Sequence, residues 1–322
     1  MTAVRDASVT EVSEALGTGT VIATVPGRGH GGAAAIARAI IGAIIVIALW
    51  EILALTVFHK VGSGVPRPFP PGRTTSTANA QYNNVLTQLW HDWQAGHYGK
   101  NIGTTMKEAI TGYIDANVLA IVLGVLFVLW PVVESALLRI AIASYCLPII
   151  AIGPILIFTL HGDAPKSALA ALLVFFPSLI GVVVGLRSAD KTSLEVIRAV
   201  GGGTRRKVPR AMVSVLGPER ADKFMVAWAQ LVKVRLRAAL PSTFAALQIA
   251  APSAILGAII GEYLGAQTQG LGVFMIVAEQ QGNAERLWGI ALVCTVIAGL
   301  AYAVIGLIGR LVTPWAPRRR SA

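Results

Sequence analysis

Charge is scarce in this sequence. Of 322 residues only 13% are Asp, Glu, Lys or Arg, roughly half the share found in a soluble domain. So small a polar complement excludes a chain wetted on all sides. Cysteine is rarer still: Cys146 and Cys294 each sit inside an apolar run, without metal-ligand spacing. That excludes a disulfide framework and a thiolate metal site. The reactive constellations of common enzymes are missing too. There is no GxxxxGK(S/T) phosphate loop, no HExxH, no GxSxG and no cluster of Cys or His; the five histidines are scattered. The chain therefore has no phosphate-loop device for ATP, and no cofactor of its own is expected. The first residues carry Asp6, Glu11 and Glu14, and the first apolar run starts near Ile36. This beginning does not read as a signal peptide, and the run is expected to stay as an anchor.

What is present is apolar sequence in long blocks: 55% of the residues are hydrophobic. At about 1.5 Å per residue, twenty apolar residues cross a hydrocarbon core of about 30 Å. Six such spans are expected, near 36–58, 104–130, 135–160, 166–186, 240–264 and 286–312, giving an all-α polytopic membrane protein. Residues 1–35 are polar and Gly- and Thr-rich and read as a disordered cytoplasmic tail. Residues 59–100 form a loop with an interfacial helix carrying Trp90 and Trp93. Residues 313–322 form a basic tail containing Arg318, Arg319 and Arg320.

The net charge of +11 resides between the spans, with no aromatic-studded basic module, so it signals topology and membrane lipid rather than nucleic acid. Six spans put both termini on one side. With the termini, the 131–139 turn and the 187–239 segment in the cytoplasm, and Arg38 and Arg310 at the inner span ends, that side holds 20 of the 27 Lys and Arg. Twelve of them lie in 187–239 against four acids.

Several motifs stand out within the spans. Gly257 and Gly261, with the row Ala246, Ala250 and Ala254, let a helix approach its neighbour closely, either within the subunit or across a subunit interface. In the third span Pro148 and Pro154 delete backbone hydrogen bonds, giving a kink that is structural or lines a pathway. Glu51, Glu108, Asp115 and Glu262 are acids within or near spans, so each faces a cavity, a partner or the interface. Interfacial solvation is the simplest account of Glu108 and Asp115. The 187–239 segment opens with Asp190-Lys191-Thr192-Ser193, which offers helix N-caps, and reaches Gly201, which fits a helix C-terminus.

Glu195 and Gly201, six apart, followed by Leu236 and Ala238-Ala239-Leu240-Pro241, resemble the EAA loop of bacterial ABC importer permeases. Leu147-Pro148 through Pro154, Phe175-Phe176-Pro177 and Gly185-Leu186-Arg187-Ser188 are similar to stretches of the nitrate/sulfonate/taurine group. So is Gly261-Glu262-Tyr263-Leu264-Gly265 with Gly270-Leu271-Gly272. The similarity covers about 100–312. Val196 and Ile197 replace two alanines of the pattern, and Arg237 stands where its first proline is usual. Residues 202–227 form an insertion containing Arg205, Arg206 and Lys207. Its later part, from Pro218-Glu219, reads as a helix start, with Phe224, Trp228 and Leu231 at helical spacing.

The resemblance implies a type I ABC importer permease fold in a bacterial inner membrane, with 36–312 as the permease domain. It implies two separate ATP-binding subunits that hold ATP and Mg, a second permease copy and an extracytoplasmic substrate-binding protein. It assigns Glu195, Arg198, Ala199 and Gly201 to a helix that docks on the ATPase. The pathway candidates are Tyr145, Cys146, Pro148, Gln248 and Ser253; the last two lie roughly 140° apart on a regular helix. A secondary transporter would show internal repeats and midplane coupling-ion acids, and a membrane enzyme a reactive cluster; neither is visible.

Overall fold

The computed structural model describes residues 32–56, 84–199, 218–265 and 269–315. Most of the expected tail 1–35, Gly201, the first part of the insertion (202–217) and Arg318–Arg320 lie outside the described residues. One compact unit spans 45–316; residues 1–44 and 317–322 form another.

Among the described residues the chain is helical throughout and has no strand. The elements are α1 (Gly32–Thr56), α2 (Val85–Gln94), α3 (His97–Leu129), α4 (Pro131–Cys146), α5 (Ile149–Thr159) and α6 (Ala164–Arg187). Then come α7 (Lys191–Ala199), α8 (Pro218–Gln230), a π-helical turn (Leu231–Arg235), α9 (Leu236–Leu264), α10 (Leu271–Gln280) and α11 (Ala284–Val312). Four helices among the described residues are individually long and apolar enough to cross a membrane: α3, α6, the rod Phe224–Leu264 and α11. The expected third span, 135–160, is instead two helices parted at Leu147-Pro148, with Pro148 extended at the N-cap of α5. Pro148 has no N–H to continue the ladder, and the residue before a proline is pushed out of the α region. Pro154 stays inside α5.

Boundaries follow local chemistry. Asn84 caps α2 by accepting from Thr87 N at 2.9 Å, and Asn283 caps α11 by accepting from Arg286 N at 2.9 Å. Gly96, at φ +74°, turns α2 into α3.

The core is α6, wedged between α3 and α9, with Leu169, Ala170, Val174, Leu179 and Leu186 almost wholly buried. Small residues permit the approach. A methyl at Gly257 would come within 2.8 Å of the Leu169 carbonyl, and one at Gly261 within 2.8 Å of the Lys166 Cα. Gly257 and Gly261 thus pack α9 against α6 of the same chain, and Ala246 sits opposite Gly181 farther along. Without a hydrophobic drive between helices in lipid, such close packing supplies the association. The unit has two ends. One gathers the starts of α3, α6 and α11 with the finish of α9, around Glu262; the other gathers the finishes of α3 and α6 with α7, α8 and the start of α9, around Trp130.

Candidate functional site

At the Trp130 end, α7 is a nine-residue helix with no buried residue. Asp190 starts it by accepting from Ser193 N at 3.1 Å. Glu195, Arg198 and Ala199 are exposed, and so is Val196. One side of α7 is held: Gln230 Nε2 donates to the Leu194 carbonyl at 2.8 Å. Gln230 ends α8, which is itself fixed. Phe224 stacks on Trp130 at 5.7 Å between ring centroids and on Trp228 at 6.5 Å, and Leu231 is buried with Val182, Leu186 and Ala239. On the α6 side, Arg187 is paired with Glu134 of α4, and Ser188 Oγ donates to the Gly185 carbonyl at 2.8 Å. A short exposed helix therefore stands on a rigid pedestal, and the pedestal runs unbroken through the π turn into α9. The helix leaves one face open, and the Gln230 hydrogen bond connects it to the helix that continues into α9.

The pathway candidates are dispersed. Tyr145 and Cys146 close the last turn of α4, with side chains outside the described set. Pro148 is exposed at the break. Gln248 and Ser253 are half-buried on α9, and the Gln248 amide lies over Gly306 of α11. Gly153 on α5 meets Leu264 of α9, eleven residues beyond Ser253, roughly 16 Å along the helix. Tyr113 Oη reaches from α3 to the Leu247 carbonyl at 2.9 Å, just before Pro252.

The Glu262 end holds a buried polar network that sequence reasoning did not assemble. Glu108, expected to be solvated, is buried on α3 and bonded by Lys166 Nζ of α6. Lys166 also donates to Asp163 at 3.2 Å, and that hydrogen bond holds the exposed Asp163 carboxyl below its usual range. Glu262 is wholly buried on α9. It accepts from Thr105 Oγ1 at 2.6 Å and from Gly272 N at 2.7 Å. Leu271 N donates to Thr105 Oγ1 at 3.0 Å, and Gly270 N to Asn101 Oδ1 at 2.9 Å. The orphan amides that open α10 are thus capped by side chains of α3 and α9, with a carboxylate at the positive end of the helix dipole. Gly270, at φ +131°, lies against the Glu262 carboxylate where a Cβ has no room. The signal available in the sequence was three charges of mixed sign, Glu108 and Lys166 near the starts of apolar runs and Glu262 near the finish of another. Asp115, by contrast, is exposed and lines a cavity of about 350 Å³ with Lys107, Thr111 and Asp163.

Beside this network Asp92 of α2 forms a two-pronged pair with Arg286 of α11, at 2.8 and 2.9 Å, and accepts from Gln88 at 3.0 Å. Burial works against the Asp92 charge. The Arg286 and Gln88 hydrogen bonds outweigh it and hold the carboxyl below its usual range.

Residues 225–321, from α8 through the end of α11, match the family model of the binding-protein-dependent transport system inner membrane component. That is the type I ABC permease fold. The chain is a transmembrane permease subunit of an ABC importer. It is 29% identical over 202 residues to the formylaminopyrimidine transport permease protein ThiX of Halalkalibacterium halodurans, covering 61% of this chain and 71% of that one. It is 26% identical over 199 residues to a Haemophilus influenzae chain named "Probable ABC transporter permease protein", covering 62% and 71%. It is 26% identical over 183 residues to the riboflavin transport system permease protein RibX of Chloroflexus aurantiacus, covering 56% and 59%. As a multi-pass inner-membrane permease, the chain works with ATPase and substrate-binding partners.

Proposed function

We propose that this permease imports a small, polar organic solute and that α7 is the element through which ATP closure of partner subunits drives it. The observation that carries the reading is the projecting α7, clamped to α8 by Gln230 and continuous through that helix with span α9. Two copies of the chain would form the channel, with one ATP-binding subunit on each α7; ATP and Mg would belong to those subunits. Both termini and 187–239 face the cytoplasm in this reading, and the Glu262 end faces outward. The charge bias supports it, because 187–239 holds twelve Lys and Arg in sequence, and Arg187, Lys191, Arg198, Lys233, Arg235 and Arg237 lie on the elements of the Trp130 end. Substrate class rests on the relatives: two are named for a pyrimidine vitamin precursor and for riboflavin. A nitrogen heterocycle of vitamin type therefore fits better than the small anions of the nitrate/sulfonate/taurine group. Tyr145, Cys146, Pro148, Gln248 and Ser253 remain the proposed pathway residues.

The test is Glu195→Lys in the complete transporter. A docked helix should lose ATPase-subunit binding and uptake, whereas a solvated surface helix tolerates the change within about 0.5 kcal/mol. Wild-type association and uptake in the variant would remove α7 from the coupling role.

A further inference from the structure

Helix α2 turns its largest apolar side chains, Trp90 and Trp93, outward. Its inward face is mixed: Gln88 and Asp92 are buried with the capping Asn84 and with Val85. Its outward face is apolar: Leu86, Trp90 and Trp93 recur at i, i+4 and i+7, and the two indoles are 63% and 56% exposed. Such a face needs an apolar neighbour over it and partners for its polar edges.

The seven tryptophans say which neighbour. Trp50 stacks on Trp288 at 4.9 Å. Leu89 of α2 lies beside Gly289, the next residue of α11, and Trp93 lies 5.9 Å from the Tyr98 ring. Four indoles therefore mark the Glu262 end. The remaining three, Trp130, Trp228 and Trp315, mark the other end. From Trp288 to Val312, α11 rises roughly 36 Å at 1.5 Å per residue, enough for a hydrocarbon layer of about 30 Å and its edges. These are the two aromatic girdles of a membrane protein, at the level where indoles favour the headgroup boundary. Between them α3 and α11 each expose an aliphatic strip, including Ile110, Ile114, Val296 and Leu300. Helix α2 packs on the starts of both helices. Its apolar face continues their lipid-facing surface into the girdle.

We propose that α2 lies in the headgroup layer with its Leu86–Trp90–Trp93 face against lipid, and that the Asp92–Arg286 pair tethers the start of α11 to that layer. The occupant is the bilayer rather than a protein, because the face is continuous with the lipid-facing surface and lies at girdle depth. The indole edges suit headgroup carbonyls and phosphates.

The experiment is done on the transporter in phospholipid nanodiscs, with Cys146 and Cys294 replaced by alanine. Spin labels are placed singly at Trp90, at Trp93, at lipid-exposed Val296 and at water-exposed Lys191. Oxygen and nickel-chelate accessibilities are then compared. Trp90 and Trp93 are expected to favour oxygen several-fold more than Lys191, and to keep that ratio when the substrate-binding protein is added. A ratio equal to that of Lys191 would overturn the proposal. So would immobilisation at these sites that depends on the binding protein, which would make the face a protein dock. A second measurement needs no labels. In lipid brominated near the glycerol backbone, Trp90→Phe/Trp93→Phe should lose about two-sevenths of the quenchable emission, an estimate from equal shares for interfacial indoles. An unchanged quenchable fraction would refute lipid contact.

Discussion

Gln230 donates through its Nε2 to the backbone carbonyl of Leu194, 2.8 Å away, and so joins the end of α8 to the middle of α7. The bond crosses 36 residues of sequence. It holds the exposed helix without occupying any of its outer face.

Gln230→Leu removes this donor at similar volume. One such bond is worth about 0.5–1.5 kcal/mol, so α7 should loosen while the spans stay inserted. Uptake per ATP hydrolysed is expected to fall several-fold at normal membrane yield. An unchanged ratio in reconstituted vesicles would mean that the clamp does not position α7.

Lys166 and Glu108 should behave as a unit. Lys166→Met leaves a buried carboxylate without its cation, at a cost of roughly 3–5 kcal/mol. Adding Glu108→Leu should recover most of that loss, because an apolar pair replaces a charged one. The fraction of monodisperse protein after heating in detergent reads this directly. A double variant no better than Lys166→Met would contradict the pairing.

Gly257 and Gly299 make opposite predictions for the same substitution. Gly257→Ala drives a methyl into the backbone of α6 and should destabilise by about 1–3 kcal/mol. Gly299 has nothing within 4 Å of the added carbon, so Gly299→Ala should be neutral or gain up to about 1 kcal/mol of helix propensity. The same heating assay ranks the two.

The Asp92–Arg286 tether should depend on pH in one direction. The Asp92 carboxyl is held below its usual range in the folded chain. Its contribution is therefore complete above the ordinary carboxylate value of about 3.9 and is lost as pH falls through the depressed folded value. Proteolytic release of the segment around α2 is expected to be flat from neutral pH down to about 5 and to rise only in stronger acid. Asp92→Asn should show release already at neutral pH. A transition near pH 6 would show that the Asp92 carboxylate does not carry the pH dependence.

Much of this was readable from residue order. Trp130-Pro131 ends α3, because a proline cannot continue the ladder, and Pro218-Glu219 opens α8 for the complementary reason. Trp90 and Trp93 lie on a helix of their own. The polar network was not readable. Thr105 and Glu262 are 157 positions apart, and Lys166 and Glu108 are 58 apart. Only the packing of α6 between α3 and α9 brings them together, so solvation at the membrane edge was the natural account of Glu108. The third span is parted into two helices for a local reason. Hydropathy carries smoothly through Leu147-Pro148, where the backbone does not.

The π turn at Leu231–Arg235 sets an angle. Between Pro218 and Leu264 the backbone is a single hydrogen-bonded rod, and a π bulge is one residue more than an α ladder needs. Each residue advances a helix by about 100°. The surplus therefore turns the azimuth of α8 relative to α9, so that Gln230 looks toward α7 while the alanine row of α9 looks toward α6. Deleting Val232 should restore a regular ladder, swing α8 by about a quarter-turn or more around its own axis, and point Gln230 away from Leu194 with every span still in place. In that sense the two ends of the rod are phased against each other, like keyways cut at different angles on one shaft.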